Sequence, residues 1–220
     1  MTRALFIGAS RLALIQCVTL TAHAENSPAD AKQRSIEVGI ELTYSFPIGS
    51  LEGGSEVSDV VRGLIPIGVD VGFRLTTRVA ILLYGHYGVG IPKLCTSASD
   101  CFSSLGRDVA VGAGSRLLFD RLGPVAPELR LTFSYEWLHS ALSDNGVTSS
   151  RDYRGPLLAA IQAFGNFGSD AKKFGAFASL ATGIFSNRSL ETPAFSSAEL
   201  VDRPSLHVWL AVGLRGALSF

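Results

Sequence analysis

Apolar and polar residues alternate with a period of two over long stretches of this chain. The clearest case is 35–46. Ile36, Val38, Ile40, Leu42, Tyr44 and Phe46 share one parity, and Ser35, Glu37, Gly39, Glu41, Thr43 and Ser45 share the other. Such alternation marks an extended strand with one oily face and one polar face. Ser205–Phe220 repeats it, with Leu206, Val208, Leu210, Val212, Leu214, Leu218 and Phe220 on one side, broken only at Gly216. His207, Trp209, Ala211, Gly213, Arg215, Ala217 and Ser219 take the other side. Further strands are predicted at about 65–75, 79–91, 107–119, 127–138, 157–167 and 174–185. In 157–167 the pattern sends Leu157, Ala159, Ile161, Ala163 and Phe167 outward and Gln162 and Asn166 inward. In 174–185 small residues occupy both parities, and no face is assigned.

The connections supply a second pattern. Those after the first, third, fifth and seventh strands are long; those after the second, fourth and sixth are short, such as Thr76-Thr77-Arg78 and Asp120-Arg121-Leu122-Gly123-Pro124. A barrel spanning an outer membrane has short periplasmic turns and longer extracellular loops, whereas a soluble sandwich has no reason to keep that rhythm. The predicted fold is therefore all-β: an eight-stranded antiparallel up-and-down transmembrane β-barrel over residues 25–220. Both ends of that domain fall on the periplasmic side, as an even strand number requires. Strands of this length suit the ~9–11 residues that a tilted membrane strand needs.

The N-terminus points to export. Met1–Ala24 holds Arg3, the apolar stretches Ala4–Ser10 and Leu12–Leu20 around Arg11, and then Ala22-His23-Ala24. A charged start, an apolar centre and a small-x-small ending make a cleavable signal peptide, here residues 1–24. It is too short, and too interrupted, for a spanning helix of ~20 apolar residues. Cys17 lacks the small preceding residue of a lipidation signal. About 196 residues remain, enough for one domain.

Composition adjusts this picture only slightly. The formal charge is zero, which leaves no electrostatic footprint for nucleic acid. Mean hydropathy is +0.30, oily for a soluble globule but natural for a barrel that turns half its strand residues to lipid. Cys95 and Cys101 flank a polar stretch, Thr96–Asp100, and in an exported protein such a pair predicts a disulfide. No further Cys or His lies near them for a zinc site. No cofactor is expected.

The inward parities carry charge more often than a packed soluble core would allow. Glu37, Glu41, Asp70, Asp108, Glu128 and Glu136 stand against Arg74, Arg116, Arg130 and Arg215, with His86 and His207 nearby. Glu37, Arg74 and Arg215 are expected at similar depth on neighbouring strands, and Arg116 and Glu128 flank one short turn. Eight strands enclose an interior just wide enough for side chains to fill. These residues are therefore expected to form an ion-pair network plugging the lumen. Trp137 belongs to an outer aromatic girdle with Tyr44 and Phe46. His139-Ser140 lies near the extracellular end of its strand with no acidic partner fixed by spacing.

The terminal strand ending on Phe220 resembles the C-terminal signal that bacterial outer-membrane β-barrels present to their assembly machinery. Topology, leader and terminal strand together resemble the small eight-stranded group, the OmpA transmembrane domain and the OmpX- and OmpW-like proteins. The resemblance implies residence in the bacterial outer membrane, outer-membrane lipids and the assembly machinery as partners, and a monomer. It implies a structural or surface-interaction role and no enzyme activity. The alternatives are a narrow channel or carrier for small solutes and, more remotely, a lipid A-modifying enzyme, since some barrels of this size use a His and a Ser near the outer leaflet.

Overall fold

The computed structural model describes residues 35–52, 55–91, 105–144, 147–192, 195–201 and 206–220. Eight of its strands close a barrel: β1 (Ile36–Glu52), β3 (Gly63–Arg74), β4 (Val79–Ile91), β5 (Leu105–Leu118), β6 (Ala126–Asp144), β7 (Val147–Gly168), β8 (Lys172–Ile184) and β11 (Leu206–Ser219). Every neighbouring pair is antiparallel. Closure comes from the two clean alternations, which pair from Glu37↔Ser219 to Gly49↔His207. Phe220 adds a last rung: its N–H donates to the Ile36 carbonyl at 2.9 Å, and its own carbonyl accepts from Ile36 at 3.3 Å.

The outer wall is apolar on every strand. Ile40, Ile67, Leu83, Val111, Phe133, Ile161, Leu180 and Val212 all project outward and exposed. On β1 the outward run from Ile36 to Ile48 covers about 40 Å of strand, or about 30 Å along the axis of a barrel tilted near 40°. That matches a hydrocarbon layer and far exceeds the apolar patch a soluble monomer exposes. Tyr44 packs edge-on against Phe46 at 4.5 Å, and Tyr135 against Trp137 at 4.8 Å, at the end of the belt nearer the long loops.

Two departures from ideal pairing have local causes. Along β1–β3 the ladder skips Thr43 and Tyr44, which lie opposite Pro66 and Ile65; Pro66 has no N–H to give. At Gly155-Pro156, β7 changes partner. Its first half pairs with β9 (Asn187–Thr192) and its second half with β8. A Cβ on Gly155 would lie 1.9 Å from the Ile184 carbonyl oxygen, so only glycine lets the two backbones cross there.

The long-loop end is more ordered than the alternation predicts. β6 and β7 run on past the barrel as a hairpin to Asp144 and Val147, replacing the loop expected over 140–155. β9 and β10 (Phe195–Leu200) form a second hairpin laid on β7, inside the loop expected over 186–204. Together they make a fin standing on one side of the mouth. Two further pieces, β2 (Ser55–Glu56) and α1 (Val57–Val60), lie in the first long connection. Both proposed features of chain processing, the leader 1–24 and the Cys95–Cys101 pair, fall outside the described residues.

Candidate functional site: the lumen and the outward rim

The lumen divides into three layers. Nearest the short turns is a plug of ion pairs. Asp70 sits at its centre, accepting from Arg116, from Arg130 Nη2 at 3.2 Å, and from Arg215 Nε at 3.0 Å and Nη2 at 2.8 Å. Glu37 accepts from Arg116, from Arg215 at 2.7 Å and from Lys173 Nζ at 2.8 Å. Arg130 Nη1 donates to Glu41 at 2.6 Å, and Arg116 Nε lies 3.3 Å from Glu128. Phe164 stands inside the wall under the guanidiniums of Arg130 (4.7 Å) and Arg215 (5.8 Å). The plug balances itself, with Glu37, Glu41, Asp70 and Glu128 against Arg116, Arg130, Lys173 and Arg215. All eight side chains are at most 10 % exposed. Burying so many charges is tolerable only because each is paired and hydrogen-bonded.

Above the plug is a chamber of about 70 Å³, room for a few water molecules. Its charges are carboxylate–imidazole pairs. His86 Nε2 is 2.6 Å from Asp108, and His207 Nε2 is 2.8 Å from Glu136. Trp209 Nε1 donates to the other Glu136 oxygen at 2.9 Å, and Phe185 stacks on the His207 ring at 4.1 Å. Asp108 and Glu136 thus find their close partners in the two histidines and Trp209 rather than in the plug.

The third layer is an apolar lid. Val57 of α1 and Val61 bury completely against Leu64, Leu138, Tyr153, Leu157, Phe185 and Trp209. Gly90 and Gly106 form the recess that receives Val61. A Cβ on either would lie within 3 Å of the Val61 Cγ1 (2.9 and 2.3 Å).

Of the residues singled out in the sequence, Glu37, Glu41, Asp70, Arg116, Glu128, Arg130 and Arg215 meet in the plug. Glu136 belongs instead to the chamber. Arg74 stays half exposed at the short-turn rim and joins no ion pair among the described residues; Lys173, read from sequence as part of a turn, takes the place beside Glu37. Leu157 is corrected from outward to inward. The bulge between Leu157 and Ala159 shifts the parity by one, so that Leu157 joins the lid and Leu158 faces out. In β8 the inward face is Lys173, Gly175, Phe177, Ser179, Ala181 and Gly183.

His139 does have an acidic partner, from the facing strand rather than from its own. Its Nδ1 lies 2.7 Å from Asp152 Oδ1, and Ser189 on β9 donates to Asp152 Oδ2 at 3.2 Å. The carboxylate therefore sits between imidazole and hydroxyl, and Ser189 is not presented to the histidine as a nucleophile would be.

No protein-family model matches the sequence, and no curated protein matches it either. Solved structures do match the fold. A major outer membrane protein of Thermus thermophilus superposes with a TM-score of 0.51 at 11% identity, covering 83% of this chain and 99% of that one. Neisserial surface protein A gives 0.50 at 12% identity, covering 82% and 95%. The fold is that of the small eight-stranded outer-membrane β-barrels. Identities this low carry the architecture and nothing of the chemistry. The plug, the chamber and the lid are therefore read from the barrel's own side chains.

Proposed function

We propose that the chain is a bacterial outer-membrane barrel with a structural and surface-interaction role, exported by removal of residues 1–24 and inserted through recognition of Phe220. The observation that carries this reading is the filled lumen. Four acids and four bases close the barrel near the short turns, and an apolar lid closes it near the long loops. Such an interior holds the wall rigid while the apolar exterior meets lipid. The fin of β6, β7, β9 and β10 lends the surface role a place, since among the described residues β10 pairs only with β9 and keeps one edge open. An open strand edge is a template for an added strand from a partner. The Cys95–Cys101 disulfide belongs to the same reading, as a clamp on a long loop.

Two other roles draw less support. A solute path through the lumen would have to cross both plug and lid. A lipid A-modifying activity would need a hydroxyl activated by His139, and Ser189 is bonded to Asp152 instead. The test is a deletion strain. Loss of the chain should sensitise cells to detergents and bulky antibiotics, with small-solute uptake unchanged. Slower uptake with intact barrier function would instead support transport, and altered lipid A by mass analysis would support the enzyme.

A further inference from the structure

Two outward-facing rows cross the base of the fin, one level with the upper edge of the aromatic girdle and one just above it. Strand register places Arg107 opposite His139, His139 opposite Asp152, and Asp152 opposite Ser189. One step deeper, Trp137 lies opposite Arg154, and Arg154 opposite Asn187. These positions share the outward parity of Phe133 and Tyr135, which continue the lipid-facing belt below them. Successive outward residues rise only about 7 Å along a strand. A side chain at the girdle's edge or one such step past it stands at the depth of lipid headgroups, neither in hydrocarbon nor in bulk water.

We propose that this patch binds the phosphorylated sugar headgroup of an outer-leaflet glycolipid. Three features of the patch fit that occupant. Arg107 and Arg154 are exposed and have no ion-pair partner among the described residues. A guanidinium suits a phosphate better than an ammonium does, because its planar fork can donate two parallel hydrogen bonds. The one acid in the rows, Asp152, is already engaged by His139 and Ser189, which turns its charge away from competing for Arg154. Finally, the surface is concave: Tyr135, Asp152, Arg154, Asn187 and Ser189 line a recess of about 370 Å³. Its floor is aromatic and its wall polar, in the order that acyl chain and sugar present themselves along a membrane normal.

This site rests on the outer-membrane reading above. Lipid A, a bis-phosphorylated glycolipid, is titrated into the purified folded barrel in detergent and bound copies are counted by native mass spectrometry. Arg107→Gln and Arg154→Gln should each weaken binding about fivefold, the size of one basic residue's contribution at an anionic membrane surface, and the double variant should weaken it further. Arg154→Lys should lose less than Arg154→Gln. Asp152→Asn should tighten binding, where a catalytic role for Asp152 gives no reason for it to do so. Arg78→Gln, an exposed arginine at the opposite rim, should change nothing. Wild-type affinity in the double variant, an equal loss in Arg78→Gln, or displacement of lipid A by equimolar inorganic phosphate would overturn the site. The heat-dependent gel shift of each variant shows that it is folded. Failure of the titration alone leaves the outer-membrane reading standing. Failure to find the chain in the outer membrane on cell fractionation removes both.

Discussion

The two halves of the lumen solve the same problem differently. Near the short turns, acids and bases are equal in number and tightly interlocked, with Asp70 alone bound to three arginines. Near the long loops the charges are fewer, each carboxylate leans on a histidine, and closure comes from Val57, Val61 and their apolar neighbours. The first half is rigid because its central charges are cross-linked, so that removing Asp70 or Arg215 strands several others in a buried interior. The second tolerates change better. Its lid comes from the first long connection, packed by Val57 and Val61 against inward apolar side chains, and its chamber has room for water around an altered side chain.

The largest effect should come from the centre of the plug. Asp70→Asn keeps the shape but removes the charge that three guanidiniums share and replaces one of its two acceptor oxygens with an NH2 donor. We expect a loss of about 3–5 kcal/mol in equilibrium unfolding from bilayers. Arg215→Ala should fall in the same range, since Glu37 and Asp70 both lose a buried partner. Next comes the outer wall. Val212 is 54 % exposed to the lipid side, and Val212→Arg should cost about 2–4 kcal/mol near the midplane. Sequence alone ranks Val212→Arg above Arg215→Ala, because it shows the faces but not the partners. With Arg215 only 1 % exposed the order reverses, and a larger loss for Val212→Arg in the same assay would break the contrast between plug and wall.

Smaller effects belong to the chamber and the lid. Trp209→Phe removes the indole N–H from Glu136 and should cost about 1–3 kcal/mol, the penalty for an under-satisfied buried acceptor. A loss as large as that of Asp70→Asn would mean that the two halves are equally interlocked. Gly106→Val pushes a side chain into the space of Val61, and overpacking there should cost about 1–3 kcal/mol. The least change should follow Ser197→Ala in the fin, within about 0.5 kcal/mol, because that hairpin lies outside the barrel wall.

What could be read from sequence follows from the environment of each residue. Strands β1 and β11 face lipid on one side and a polar lumen on the other, so their alternation is forced and visible. In β8 the inward face mixes Lys173 and Phe177 with Gly175, Ser179, Ala181 and Gly183, while Ala176 and Ala178 stand on the outward one, and small residues on both faces carry no parity signal. The fin strands β9 and β10 lie above the membrane, where neither face must be oily, so 187–200 reads as loop. The plug was legible as a set of inward charges but not as a list of partners. Partnership depends on how far side chains reach across the barrel, which is why parity alone points to Arg74 and passes over Lys173. The pairing of His139 with Asp152 is invisible for a similar reason: the two lie on opposite strands of a hairpin whose register only the structure supplies.

Single-channel recording in planar bilayers tests the closed lumen most directly, when the native barrel and Gly106→Val are compared. If the plug seals the barrel on its own, both should be electrically silent, even though the second has a disturbed lid. Discrete ohmic openings in the native barrel, or their appearance once the lid alone is disturbed, would show that the ion pairs do not close the lumen.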